Sequence, residues 1–245
     1  MRARSLIVTT LAALLGAAGA CSADSPLPTL GFGGGLNGID TVSKARVRLV
    51  NATPTILDLA ANGVVAAGNA AIRFGEASSC TPTNALRPDL TVRIGGTFLP
   101  VPGLATAYQS GVSYTVIAYT GSGITTQFAT IPDLFAPIAG EAALRVFNGS
   151  AAGTSYDVYV TVPGASIDST PPSFANVRAG EVSSFGNASA GTPRQVRITF
   201  AGSKGVLVDV GNTALIEGQV VTLVIVAPLA GSTRPRVFTA EACSP

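Results

Sequence analysis

Two aspartates stand at matching places in the chain and are the first candidates for chemistry. Asp58 lies in ILDLAAN and Asp157 in SYDVYVT, each after a strand-like pattern that ends in asparagine. A carboxylate beside strand-end carbonyl oxygens suits a hard cation, so one interpretation makes each aspartate a calcium ligand. In the alternative, each accepts backbone N–H bonds beside a loop, together with Asn51 or Asn148. No DxDxD-like cluster accompanies either aspartate, which favours the alternative.

Nucleophilic catalysis finds little support, because the chain contains no histidine. This excludes Ser-His-Asp and Cys-His systems and the imidazole ligands of most catalytic zinc sites. A Ser-Lys system would need Lys44 or Lys204, and we expect both lysines at solvated positions. The 13 acidic residues are scattered along the chain. A hydrolase that uses a carboxylate pair therefore stays an alternative, while we predict no catalytic residue, no metal and no cofactor.

Arginine and tyrosine side chains offer the remaining binding chemistry. Arg48 and Arg145 recur at matching places, and so do Arg93 and Arg197. We interpret them as solvent-facing positions of half-buried strands, where arginine lays its stem along apolar surface. The alternative is a basic stripe for an acidic polymer. Among the aromatic residues, Tyr159 is the one we expect at the surface, where it would suit carbohydrate.

The amino terminus predicts export. Residues 1–20 combine a basic start, an apolar core over 6–15 and small residues before Cys21. Cys21 resembles the lipobox cysteine of bacterial lipoproteins, although Ala18 stands where leucine is usual. This resemblance implies acylation and a stable membrane anchor, and Ser22 after the cysteine implies the outer membrane. Ordinary secretion, with Cys21 as a thiol, is the alternative. The Gly-, Pro- and Ser-rich residues 21–44 read as a flexible linker.

The predicted export also bears on the other two cysteines, because it allows them to form a disulfide. Cys80 and Cys243 would both lie outside the cytoplasm, where a disulfide can persist. A bond between them would clamp the two halves of the chain together. Two free thiols remain the alternative, because sequence does not show whether the Cα atoms come within bridging distance.

A module that occurs twice must position these residues. VRLVNAT at 47–53 returns as LRVFNGS at 144–150, and four later segments align in the same order. One of these alignments sets RQVRITF against LTVRI and thereby matches the arginines named above. We predict a first repeat over 45–135 and a second over 136–245, each burying its apolar strand faces independently.

The composition indicates an all-β fold. The chain is 47% apolar and 11% charged, with 28 glycines and 16 prolines, and long helical patterns are missing. The longest apolar run, residues 220–230, is too short for a spanning helix and fits a strand buried on both faces. With about seven short strands per repeat, we predict two tandem immunoglobulin-like antiparallel β-sandwich domains. Closed barrels are the alternative.

The stretch ARVRLVNATPTILDLAANG resembles the opening of the bacterial domain of unknown function 4397, and LRVFNGS with YDVYV repeats the likeness. The resemblance covers about residues 45–243. It implies a β-sandwich without an assigned activity, of a kind that occurs in exported and lipid-anchored bacterial proteins.

The charge balance limits the classes of function that the protein can have. If Arg2 and Arg4 leave with the signal, the 15 basic residues fall to 13, equal to the 13 acidic ones. This balance gives no electrostatic case for binding nucleic acid. We therefore expect a non-catalytic cell-envelope protein with a structural, adhesive or ligand-presenting role toward an envelope protein or polymer. A secreted hydrolase and a calcium-stabilised adhesin are the alternatives.

Overall fold

The structure is a computed structural model that describes residues 43–95, 97–99, 107–121, 125–228 and 232–243. The predictions for the export signal, for Cys21 and for nearly all of the linker lie outside these residues. Among the residues described, no helix has the length and apolar character needed to span a membrane.

The described residues form sixteen β-strands arranged in four sheets, which confirms the all-β class and the two β-sandwiches. The first repeat is called copy one below, and the second is called copy two. The strands of copy one are β1 Lys44–Asn51, β2 Leu57–Ala61, β3 Val64–Val65, β4 Thr81–Asn84, β5 Leu90–Ile94, β6 Thr97–Leu99, β7 Ser113–Tyr119 and β8 Gln127–Pro132. Those of copy two are β9 Glu141–Gly149, β10 Ser155–Thr161, β11 Phe174–Arg178, β12 Gly186–Ser189, β13 Arg194–Phe200, β14 Val206–Thr213, β15 Val220–Val226 and β16 Arg236–Glu241.

Both copies have the same topology. Copy one pairs its strands as β4-β1-β7-β8 and β3-β2-β5-β6, and copy two as β12-β9-β15-β16 and β11-β10-β13-β14. Adding eight to each label of copy one therefore gives the order in copy two. Eight strands form each copy, one more than expected. The pairs β1–β7 and β9–β15 are parallel, and the other pairs are antiparallel as predicted.

Three apolar cores hold these layers together. One lies inside copy one and includes Val47 and Leu49, and one lies inside copy two and includes Leu144 and Val146. The third core joins the copies, since it mixes buried residues of both, namely Val50, Ala52, Ile117, Ile131, Phe147, Val224, Val226 and Ala240. Each copy thus buries one apolar core by itself, as predicted, but the third core shows that the copies are not fully independent.

The third core explains the long apolar run in the sequence. Leu223 and Ile225 of β15 belong to the core of copy two, whereas Val224 between them belongs to the third core. Successive side chains of a strand point to opposite faces, so a strand between two cores needs apolar residues throughout. The prediction of a strand buried on both faces is confirmed for residues 220–226 of this run, where β15 ends.

Strand pairing also tests the alignment of the repeats. Asp58 lies opposite Arg93, whereas Asp157 lies opposite Thr199, so Arg93 and Arg197 are not equivalent. The predicted alignment of LTVRI with RQVRITF is wrong by two residues. A two-residue slip keeps every side chain on its face of the sheet, which is why the apolar pattern did not reveal the error.

Candidate functional site

A buried asparagine closes the first strand of each copy. Asn51 and Asn148 have no exposed surface, and their Nδ2 atoms donate to the carbonyls of Ile72 and Val177 at 2.8 and 2.9 Å. Each Oδ1 accepts the backbone N–H two residues further along the chain, at 2.8 and 3.0 Å. Asn51 therefore ties the end of its strand to the segment around Ile72, and Asn148 ties its strand to β11, which contains Val177.

The two matching aspartates accept backbone N–H bonds from the same two segments that the asparagines contact. Asp58 Oδ1 accepts the N–H of Ala71 at 2.7 Å, and Asp157 Oδ1 accepts that of Asn176 at 2.7 Å. Ala71 and Asn176 both have positive φ, 52° and 50°, so each aspartate bonds to a residue in a strained backbone conformation, Ala71 in a loop and Asn176 within β11. Asp157 Oδ2 also accepts the N–H of Gly202 at 2.8 Å. The structure thus shows both aspartates as acceptors of backbone N–H bonds.

A calcium role for these aspartates lacks supporting ligands. In the described part of the chain, no three histidine, cysteine, aspartate or glutamate side chains come together as a metal-binding group. We expect Asp157→Ala to lower the free energy of unfolding by about 2 kcal/mol, because two backbone N–H groups lose a charged acceptor. Asp58→Ala, at a half-buried position with one such bond, should lower it by about 1 kcal/mol.

Thermal melting of wild type with and without chelator checks the same assignment. The melting temperature should not change, because backbone N–H groups rather than a cation satisfy the carboxylates. A fall in melting temperature on adding chelator would contradict it.

Sequence analysis missed one further repeated motif. GEASS at 75–79 returns as GEVSS at 180–184. Ser78 Oγ accepts the N–H of Leu49, and Ser183 Oγ accepts that of Val146, both at 2.9 Å. The match is ungapped and could have been found. It was overlooked because the segment between the asparagine and this motif is longer in copy two.

Arg145 is buried between the copies, so its prediction as a solvent-facing residue is wrong. Its side chain is 2% exposed and its Nη2 lies 2.5 Å from Asp133 Oδ1, in the link between the copies. Nε donates to Thr222 Oγ1 at 2.9 Å, Nη1 donates to the Pro132 carbonyl at 2.8 Å, and the guanidinium lies 4.7 Å from the Phe185 ring centre. The guanidinium therefore has partners on every side.

Charge and burial compete at this ion pair. Burial raises the pKa of Asp133, whereas Arg145, the Thr115 hydroxyl and Arg48 act against the rise. Burial likewise lowers the pKa of Arg145, and Asp133 opposes that shift. The pair is thus held by close geometry against a large desolvation penalty.

Two other surface predictions fail, that for Arg48 in part and that for Tyr159 entirely. Arg48 is half-buried and donates through Nη1 to the carbonyl of Glu241 in copy two, because its face of β1 is turned toward that copy. Tyr159 is 1% exposed, so it offers no platform for a ligand. Lys204 lies over its ring at 4.7 Å, and its Nζ donates to the carbonyls of Ile167 and Thr170.

A disulfide joins the two copies. Cys80, just before β4, is bonded to Cys243, just after β16, with the Cα atoms 5.7 Å apart. The prediction from sequence had left this bond open against two free thiols. The two copies are therefore held together by three features: this covalent bond, the third core and the Arg145–Asp133 pair.

Copy two also contains a cleft that has the character of a binding site. It has a volume of about 230 Å³ and opens between the edge strands β11 and β12. Its polar lining residues are Glu141, Ser173, Asn187, Ser189 and Arg194, and its apolar ones include Leu144, Val160 and Phe174. Glu141 is the single carboxylate among its lining residues, so this cleft lacks the carboxylate pair that a glycoside hydrolase needs.

Comparisons with known proteins add no relative. No protein-family model matches the sequence, and no curated protein matches it. The resemblance to the domain of unknown function 4397 therefore stays a sequence-based expectation, and the functional argument depends on the geometry above.

Proposed function

We propose that this protein is a non-catalytic, lipid-anchored component of the bacterial cell envelope. In this proposal its two joined β-sandwiches present loops and sheet edges to an envelope protein or polymer. The observation that carries the proposal is the disulfide between Cys80 and Cys243. A structural disulfide of this kind persists outside the cytoplasm, which agrees with the export signal predicted before Cys21.

The junction between the copies supports a presenting role. The third core, the disulfide and the buried Arg145–Asp133 pair all cross it or lie at it. Linked sandwiches with a small polar interface would move relative to each other. Here a shared apolar core joins them, which keeps the loops and sheet edges of the two sandwiches in fixed positions.

The state of the acidic residues favours binding over catalysis. Asp58 and Asp157 accept backbone N–H groups, and Asp133 is paired with Arg145. Glu141 stands in the cleft without a second carboxylate. Neither the hydrolase nor the calcium-stabilised adhesin gains a specific observation in its favour.

Metabolic labelling with a palmitate analogue tests the anchor in the expressed full chain. Wild type should be labelled and recovered with the membrane fraction, and Cys21→Ala should lose the label, because the acyl chains attach at that residue. The matched control is the Cys80→Ala/Cys243→Ala variant, which should keep the label. Unlabelled wild-type protein would contradict the proposal.

Crosslinking in the native envelope, followed by identification of the attached molecule, tests the presenting role. We expect crosslinks from the described loops and sheet edges to one recurring envelope protein or polymer. Cleavage of an envelope glycan by the purified protein would overturn the non-catalytic part.

A further inference from the structure

In the cleft of copy two, two charged and half-buried side chains each have one buried polar atom without a hydrogen-bond partner. Glu141 Oε2 and Arg194 Nε are buried atoms with no hydrogen bond to any residue that the structure describes. The two groups line one cleft, yet no ion pair joins them within the described residues. Several other buried atoms of the described chain share this state, but Glu141 Oε2 and Arg194 Nε belong to one open cleft, where water or a bound molecule can supply the missing partners.

Copy one shows that the fold does not need this set of side chains. Glu141 begins β9 in the place where Lys44 begins β1, and both carbonyls accept a glycine N–H from the turn before the neighbouring parallel strand. Asn187 lies opposite Ala143, whereas its counterpart Pro82 lies opposite Arg46. The same sandwich is thus built with different chemistry, so the polar set of copy two is not a structural requirement.

The floor of the cleft differs between the copies as well. In copy one, the buried Asn69 donates from Nδ2 to Thr81 Oγ1 at 2.8 Å. Phe174 and Gly186 take these two places in copy two. A Cβ at Gly186 would lie 3.2 Å from the Phe174 ring, so glycine lets the ring pack tightly beneath the cleft. The floor is therefore apolar where copy one has a hydrogen-bonded polar pair.

We propose that this cleft binds a sugar unit through Glu141 and Arg194. Adjacent hydroxyl groups of a sugar can donate to the carboxylate and accept from the guanidinium, which gives Glu141 Oε2 and Arg194 Nε the partners they lack. The outer torsion of glutamate is soft, so either carboxylate oxygen can turn into the cleft. The ring C–H groups would face the apolar floor over Phe174.

The rest of the lining favours neutral hydroxyls over charged ligands. The cleft has one charge of each sign, and its other polar side chains are neutral: Ser173, Asn187 and Ser189. Ser173 Oγ accepts the N–H of Val160 at 3.0 Å, so its own hydrogen remains free to donate. The volume suits one small ring rather than a long chain, and the sugar can be free or the end of a glycan.

Ligand-observed NMR and titration calorimetry on the full chain test this assignment. The probes are glucose, galactose, mannose and N-acetylglucosamine, with alanine as a zwitterionic control. We expect saturable binding of at least one sugar and none of alanine. Glu141→Gln and Arg194→Met should each weaken binding about tenfold or more, because each removes a charged hydrogen-bond partner.

Matched variants separate the cleft from general charge effects. Glu181→Gln and Arg234→Met alter exposed residues of copy two outside the cleft and should leave binding within about twofold. Comparing the bound monosaccharide with its linear trisaccharide distinguishes a free sugar from a glycan end. Absence of sugar binding, binding of alanine instead, or full binding by both cleft variants would overturn the proposal. The result is independent of Cys21 acylation, so each proposal can fail alone.

Discussion

Arg145→Met should lower the free energy of unfolding by about 3–5 kcal/mol, the largest loss we expect from a single side chain. The substitution keeps an apolar stem in the same space but leaves the Asp133 carboxylate buried without its main partner. It also removes the donors to Thr222 and to the Pro132 carbonyl. Equilibrium unfolding in urea, followed by circular dichroism, measures the change.

A double variant distinguishes the loss of the ion pair from the change in side-chain packing. Asp133→Asn combined with Arg145→Met removes both charges, so it should recover most of the loss. Arg178→Met is the matched control, since Arg178 is exposed in the same copy, and it should change the free energy by less than about 0.5 kcal/mol. If Arg145→Met alone stays close to wild type, the pair does not stabilise the junction.

The same pair predicts how the loss depends on pH. Burial raises the pKa of Asp133 above its ordinary value of 3.8. The folded state therefore binds the proton of the Asp133 carboxyl more tightly than the unfolded state does. The stability that this proton adds is fully present below pH 3.8 and is lost as pH rises through the pKa of the folded state. Without Arg145 the rise is larger, so the gap between Arg145→Met and wild type should narrow on acidification. A gap that widens at low pH would contradict this sign.

Removing the disulfide should have the second large effect. Replacing Cys80 and Cys243 together with serine should lower the free energy of unfolding by about 2–5 kcal/mol. The bond closes a loop with a sequence separation of 163, so it restricts the unfolded chain strongly. Denaturant unfolding of wild type and of the double variant, each with and without reductant, measures the effect.

Reductant provides the internal control. It should destabilise wild type toward the double variant and leave the double variant unchanged, because no bond remains to be reduced. The third core stays intact in both proteins, so a single cooperative transition should persist. An unchanged midpoint in the double variant would show that the disulfide adds nothing to stability.

Local sequence patterns were sufficient to predict the repeated module and the role of its two aspartates. The return of VRLVNAT as LRVFNGS predicted a repeated module, and β1 and β9 do occupy equivalent places in equivalent sheets. The role of Asp58 and Asp157 also followed from local chemistry, because both bond to backbone close to a loop. The alternation of apolar and polar residues did not determine how β13 aligns with β5, since a two-residue slip preserves the buried face.

The sequence by itself determined which residues alternate along each strand, and hence the all-β class and the repeated sandwich. It did not determine what covers the second face of a strand, because a polar residue such as Arg145 reads as solvent-facing until another layer is known. The packing of copy two on copy one decided that question, as it decided the pairing of Cys80 with Cys243 and the approach of Arg145 to Asp133. The physical reason is that burial of a face and meeting of distant side chains depend on layers far apart in the chain, whereas strand alternation depends on neighbours alone.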